Sequence, residues 1–179
     1  GMTLAGRTLL ITGAARGLGR EIARACAAAG ARLVLADTDL AGVQATAAEV
    51  GGRAEPVDLG DPAAIEALAA RIAEREGVLH ALVNNGAVAT DVGGMGFEDI
   101  ALELWDRVMR VNVRGTWLMT RAVAPLLRAS GSGRVVNVAS DTALWGAPNL
   151  LSYTASKGAV MAMTRSLARE LGKDRVGVT

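Results

Sequence analysis

Residues Leu9-Leu10-Ile11-Thr12-Gly13-Ala14-Ala15-Arg16-Gly17-Leu18-Gly19 constrain this chain more than any other stretch. Three apolar residues run straight into a glycine-rich turn, and Arg20 to Ala29 then carries helical spacing. A strand, a tight loop and a helix N-terminus are thus laid end to end. Free backbone N–H groups and the positive end of a helix dipole converge at such a junction, which suits a pyrophosphate. Gly13, Gly17 and Gly19 carry no Cβ, so a ligand or a neighbouring strand can approach the backbone. The spacing is G-x-x-x-G-x-G rather than the commoner G-x-G-x-x-G, and taken alone it also fits a glycine-rich turn with no ligand.

The same alternation continues down the chain. Short apolar runs at Thr8–Ile11, Arg32–Ala36, Arg53–Val57, Ala81–Asn84 and Arg134–Val138 read as strands, and Arg175–Thr179 begins another. Between them lie helical patterns. The first, Leu18–Ala29, has Ile22, Ala25, Cys26 and Ala29 on its apolar face and Gly30 as its stop. The second, Leu40–Val50, has Asp39 as N-cap and Gly51-Gly52 as its stop. The third begins at Asp61-Pro62, runs to about Glu76 and turns Ile65, Leu68, Ala69 and Ile72 inward. Helical spacing from Ile100 to Ser130 is too long for one unbroken helix; Asn112 and Gly115 mark a break or kink and Pro125 a bend. A last helix covers about Tyr153 to Leu171, and Gly86–Gly96 reads as a loop. Strand–helix alternation of this kind predicts an α/β fold, a doubly wound parallel sheet with helices on both faces. In such sheets the ligand lies beyond the carboxyl ends of the strands, where Thr12, Asp37, Asp58, Asn84 and Ser140 fall.

Bulk properties narrow the function. Apolar residues make up 51% of the 179, and the formal net charge is +1, so neither a nucleic-acid nor an acidic partner is indicated. Cys26 has no second cysteine to pair with, and with His80 it cannot make a zinc cluster; no metal site is expected. His80 has no acidic or thiol neighbour in sequence and reads as structural. No leader pattern and no run of about eighteen apolar residues is seen, so a cytoplasmic protein without a membrane partner is expected. Gly1 ahead of Met2 reads as a tag remnant.

Tyr153 and Lys157 stand four apart in a helical segment and therefore project from one face. An ammonium beside a phenol favours the phenolate, and such a pair can exchange a proton with an alcohol. With this pair in place, the chain resembles the short-chain dehydrogenase/reductase family of single-domain, Rossmann-like proteins. Thr12-Gly13-Ala14-Ala15-Arg16-Gly17-Leu18-Gly19 matches the family's T-G-x-x-x-G-x-G loop, and Tyr153-Thr154-Ala155-Ser156-Lys157 its Y-x-x-x-K signature. Ser140 falls on the catalytic Ser and Asn112 on the catalytic Asn. The resemblance covers essentially the whole sequence, as one dinucleotide-binding and catalytic domain over residues 1–179.

The resemblance implies hydride transfer between a nicotinamide and a small-molecule secondary alcohol or ketone. Tyr153 would be the general acid/base, and Ser140 would donate to the substrate oxygen. Lys157 would support Tyr153 and hold the ribose, and Asn112 would link Lys157 to solvent through a backbone-bound water. Cofactor contacts are implied at Gly13, Ala15, Arg16, Gly17, Leu18 and Gly19. Asp37, Asp58, Leu59, Asn85 and Gly86 complete them, together with Tyr153 and Lys157. Asp37 ends the second strand, eighteen residues beyond Gly19, where an acid accepts from the ribose of NAD and repels the extra phosphate of NADP. Arg16 could reach that phosphate, but NAD is the expected cofactor and NADP the less favoured one. The apolar surface of Trp117, Leu118, Ala122, Val123, Leu126, Val160, Met161, Met163, Thr164 and Leu167 either belongs to the core or pairs two copies. A homodimer or homotetramer is expected. Trp145, Asn149 and Leu150, between Ser140 and Tyr153, either line the pocket or pack its loop.

Two departures from the family stand out. Its N-N-A-G is here Asn84-Asn85-Gly86-Ala87, with the last two exchanged. Its C-terminal part, a substrate-covering loop with helices and a final strand, is absent after Thr179, as in a partial or truncated polypeptide. The alternative function on the same fold is a non-catalytic dinucleotide-binding regulator or subunit.

Overall fold

The computed structural model describes residues 3–179; the Gly1-Met2 pair lies outside them. β1 (Thr8–Thr12) is buried at every residue because it sits between two other strands and under helices on both faces. Its neighbours are β2 (Arg32–Asp37) and β4 (Ala81–Asn84), with β3 (Arg53–Pro56) beyond β2, and β5 (Arg134–Asn137) and β6 (Gly177–Val178) beyond β4. All pairings are parallel and the order is β3-β2-β1-β4-β5-β6. The chain reverses direction across the sheet between β1 and β4, so a crevice opens beyond their carboxyl ends.

Helices α1 (Gly17–Ala28) and α2 (Leu40–Val50) cover one face, over Leu9, Ile11, Leu33 and Leu35. On the other face, α3 (Pro62–Glu76) and α5 (Gly115–Ala129) cover Leu10, Val34, Leu82 and Val135. The end of α7 (Leu151–Gly172) joins them through Leu171. The caps of α2 and α3 are as expected: Asp39 accepts from Gly42 N–H, Asp61 accepts from Ala63 N–H, and Gly51 closes α2 in the left-handed conformation. Ile65, Leu68, Ala69 and Ile72 are all buried. His80 is structural, its Nδ1 accepting from Thr8 N–H at 3.0 Å.

Three details differ from expectation or sharpen it. In α1 it is Ala23 that is buried, whereas Ala25 faces solvent, because the helix packs on the sheet through the Gly19–Ala23 line. Of the two expected outcomes around Asn112, a break or a kink, the structure shows a helical irregularity without a break. α4 (Leu102–Val108) runs through a π-helical segment, Met109–Arg114, straight into α5, so the wide turn replaces an interruption. Between β5 and α7 lies a short helix, α6 (Thr142–Trp145), and a 3₁₀ turn occupies Phe97–Asp99, directly after the predicted loop. Among the described residues no helix is long and apolar enough to cross a membrane.

Candidate active site

A cavity of about 770 Å³ opens at the carboxyl edge of the sheet. Its wall takes Gly13, Arg16 and Leu18 from the β1–α1 loop, Asp37 from β2, and Asp58 and Leu59 from the turn after β3. Asn85 to Asp91 follow β4, Ser140 follows β5, and Tyr153 and Lys157 come from α7.

At the loop end, backbone packs on backbone. A Cβ at Gly19 would fall 2.0 Å from Gly13 O, and one at Gly13 2.8 Å from Asn85 Nδ2. Asn85 Nδ2 donates to the carbonyls of Thr12 (3.3 Å) and Gly13 (3.2 Å). The Thr12 hydroxyl in turn accepts from the N–H groups of Asn85 (3.1 Å) and Gly86 (2.9 Å). The exchanged Gly86-Ala87 pair fits this packing, since a Cβ at Gly86 would meet Leu59 Cδ1 at 2.7 Å. Gly17 differs: its φ is +56° and nothing lies within 4 Å of its missing Cβ. Ala15, Gly17 and Gly19 shape the loop without standing on the cavity wall. α1 starts here with no capping side chain and no acidic residue in its first turn. Its N-terminal donors thus remain available to an anion, which fits a dinucleotide pyrophosphate.

Asp37 reaches the wall with its carboxylate already anchored. Oδ2 accepts from Ala15 N–H at 3.1 Å and Oδ1 from Asp39 N–H at 3.0 Å. Arg16, on the same wall, pairs with Asp39 at 2.6 Å. The Asp39 carboxyl is held below its usual range, first by the Gly42 N–H and then by Arg16.

The other end is built from buried side chains. Lys157 is 5% exposed, and burial lowers its pKa. Its Nζ donates to Val138 O at 3.0 Å and lies 5.9 Å from the centroid of the Tyr153 ring. Ser140 Oγ is 2.9 Å from Thr142 Oγ1 and accepts from Thr142 N–H at 3.3 Å. Asn112, 1% exposed, lies behind the wall. Its Oδ1 accepts from Val88 N–H (2.7 Å), and its Nδ2 donates to Val88 O (3.1 Å) and Ser156 Oγ (3.1 Å). Ser156 Oγ donates to Tyr153 O at 2.7 Å, so the amide ties the β4 loop to the first turns of α7.

Of the strand-end polar residues, Asp37, Asp58 and Ser140 line the cavity. Thr12 and Asn84 are turned into the interior: Asn84 Nδ2 donates to Thr120 Oγ1 (3.1 Å) and Asn137 Oδ1 (2.9 Å). The side-chain register of a parallel strand buries both faces, so a polar strand end need not point outward. Trp145, Asn149 and Leu150 stand off the wall; Leu150 packs with Val88, Val92 and Val108. Sequence reasoning missed Val88–Asp91, Leu104, Arg107 and Val111. Position directly after β4, at the reversal of strand order, was the available signal for the first of these.

Known proteins share this sequence pattern and fold. The sequence model of the short chain dehydrogenase family matches residues 7–179. Sorbitol dehydrogenase of Cereibacter sphaeroides is 38% identical over 180 residues, covering 99% of this chain and 69% of that protein. D-threitol dehydrogenase of Mycolicibacterium smegmatis is 36% identical, covering 94% of this chain and 66% of that protein. The chain therefore spans about two thirds of the length of these curated relatives. The crystal structure of 3-ketoacyl-(acyl-carrier-protein) reductase from Brucella melitensis complexed with NADH superposes with a TM-score of 0.94 at 35% identity, covering 98% of this chain and 74% of that one.

Proposed function

The chain belongs to the short-chain dehydrogenase family, and on that premise we propose that it is an NAD-dependent oxidoreductase for a secondary alcohol/ketone pair, with polyols the first substrates to try. Tyr153, Lys157 and Ser140 sharing one wall with the glycine loop and Asp37 is the observation that carries this function. Polyols are suggested by the names of the relatives, sorbitol and D-threitol dehydrogenases.

Tyr153 exchanges the proton with the substrate oxygen as general acid/base. Ser140, oriented by Thr142, donates to the same oxygen and steadies its developing charge. Lys157 brings a cation beside the Tyr153 ring and would hold the ribose hydroxyls of the dinucleotide. Asn112 acts behind them by holding Val88 and Ser156. When bound, the nicotinamide dinucleotide supplies the hydride chemistry. The uncapped start of α1 would take its pyrophosphate, Asp37 the adenosine ribose, and Asp58 and Leu59 the adenine, with Asn85 and Gly86 framing the crevice.

NAD would be preferred over NADP because Asp37 would face the adenosine ribose and Arg16 pairs with Asp39. Repulsion between a carboxylate and a phosphate near a protein surface amounts to about 1–4 kcal/mol per charge pair. A kcat/KM ratio of roughly ten to a thousand in favour of NAD is expected, and Asp37→Ser should narrow it mainly through KM. A homodimer or homotetramer completes the picture. Val113, Trp117, Met163 and Leu167 line a second cavity of about 660 Å³ on the outer face of α5 and α7, and Trp117 is 44% exposed. The unpaired Cys26 suits a reducing compartment such as the cytoplasm. NADH formation at 340 nm across a panel of polyols and secondary alcohols tests the function. Dinucleotide binding without turnover of any of them would favour a regulator instead.

A further inference from the structure

Taking the dinucleotide reading above as given, we infer that Arg114 is a positioning residue for the adenine end of the cofactor site, holding the Asp58–Gly60 turn against the π-helical segment. Asp58 and Leu59 stand on the cavity wall, yet the turn that carries them has few internal ties. Gly60 N–H donates to Asp58 Oδ1 at 2.8 Å, and Asp61 N–H to Asp58 O at 3.0 Å. Both bonds shape the turn, and neither anchors it to the rest of the fold.

Leu59 is buried in the core, and Arg114 supplies the polar anchor. Its Nη2 donates to Gly60 O at 2.7 Å across 54 residues of sequence, a charge-assisted bond. The next residue, Gly115, lets the turn lie flush on the start of α5, because a Cβ there would sit 2.7 Å from Leu59 O. Arg114 Nε is buried with no hydrogen-bond partner among the described residues. An arginine free to choose would swing that donor into water, so the side chain is held in place by what its other nitrogen binds. The six residues Met109–Arg114 thus reach both ends of one site. Asn112 holds Val88 near Tyr153, and Arg114 holds Gly60 near the adenine position.

The test is binding of NADH and of AMP, which carries only the adenosine end, to the full chain and its variants by titration calorimetry. In Arg114→Met both dissociation constants should rise about tenfold, the loss of one charge-assisted hydrogen bond. Arg114→Lys, which keeps a donor for Gly60 O, should stay within about threefold of the parent protein. Arg114→Gln, polar but too short to reach, repeats the loss if the Met variant folds poorly. Arg110→Met is the control: Arg110 Nε lies 3.3 Å from where a Gly60 Cβ would be but makes no bond to the turn. Its effect should stay within about twofold. A substrate that turns over adds a further readout, with KM for NAD rising in Arg114→Met and kcat at saturation unchanged. Unchanged affinity in both Arg114→Met and Arg114→Gln overturns the role of Arg114 and leaves the cofactor reading standing. An equal loss in Arg110→Met overturns the role of the Gly60 bond. Failure of the parent protein to bind NADH or AMP overturns the cofactor reading itself.

Discussion

At the glycine-loop end of the cavity the structure depends on atoms that are missing, while at the Tyr153 end it depends on buried polar atoms that are present. A methyl group at Gly19 would meet Gly13 O at 2.0 Å. The Asn112 amide, by contrast, fills three hydrogen-bonding positions on Val88 and Ser156. The first end leaves helix N-terminal donors uncovered for a ligand; the second fixes side chains in one orientation for chemistry. Added volume should therefore damage the loop end, and removed groups the other.

The largest expected effect falls at the chemical end. Tyr153→Phe removes the proposed proton donor and little volume, so kcat should fall by about a hundred- to ten-thousandfold while NADH binding survives. Retention of more than about a tenth of the turnover would take the acid/base role away from Tyr153. Next is Asn112→Ala, which leaves the Val88 N–H and C=O buried and unpaired. Its unfolding free energy in urea should drop by about 2–4 kcal/mol.

Gly19→Ala probes the opposite end, where overpacking costs about 1–3 kcal/mol and should be accompanied by weaker NADH binding. Gly17→Ala has open space and meets only the strain of its positive φ, about 1 kcal/mol. If the two glycine variants were equally destabilised, the loop would not be held by the close approach of Gly19 to Gly13.

The smallest effect is a pH slope. Burial lowers the Lys157 pKa in the folded protein, so the unfolded chain holds that proton more tightly. Between the folded pKa and the ordinary lysine value of about 10.4, stability contributed by Lys157 rises with pH and is lost as pH falls. Urea titrations at pH 8, 9 and 10 should show the gap between the parent protein and Lys157→Met moving in favour of the parent. A gap independent of pH would mean that Lys157 is not desolvated.

Much of the fold was legible because its signals are local. Asp39 and Gly51 bound α2, and Asp61-Pro62 opens α3, each within a few residues of the helix end that it specifies. Tyr153 and Lys157 meet at one cavity because α7 repeats every few residues. The stretch around Asn112 was only half legible: the irregularity could be read, but not that it is a continuous π-helical turn clasping Val88 and Ser156.

What the sequence determined by itself is the alternation of strands and helices, hence a parallel sheet with a crevice at its carboxyl edge, and the pairing of residues one helical turn apart. Only the tertiary structure decided that Gly19 serves packing while Gly17 faces open space. It also decided that Arg16 is taken by Asp39, that Asn84 points inward, and that Arg114 reaches Gly60. Caps and periodicity act over a few residues of backbone, whereas the Arg16, Asn84 and Arg114 partners lie 23 to 54 residues away and meet only once the sheet has assembled.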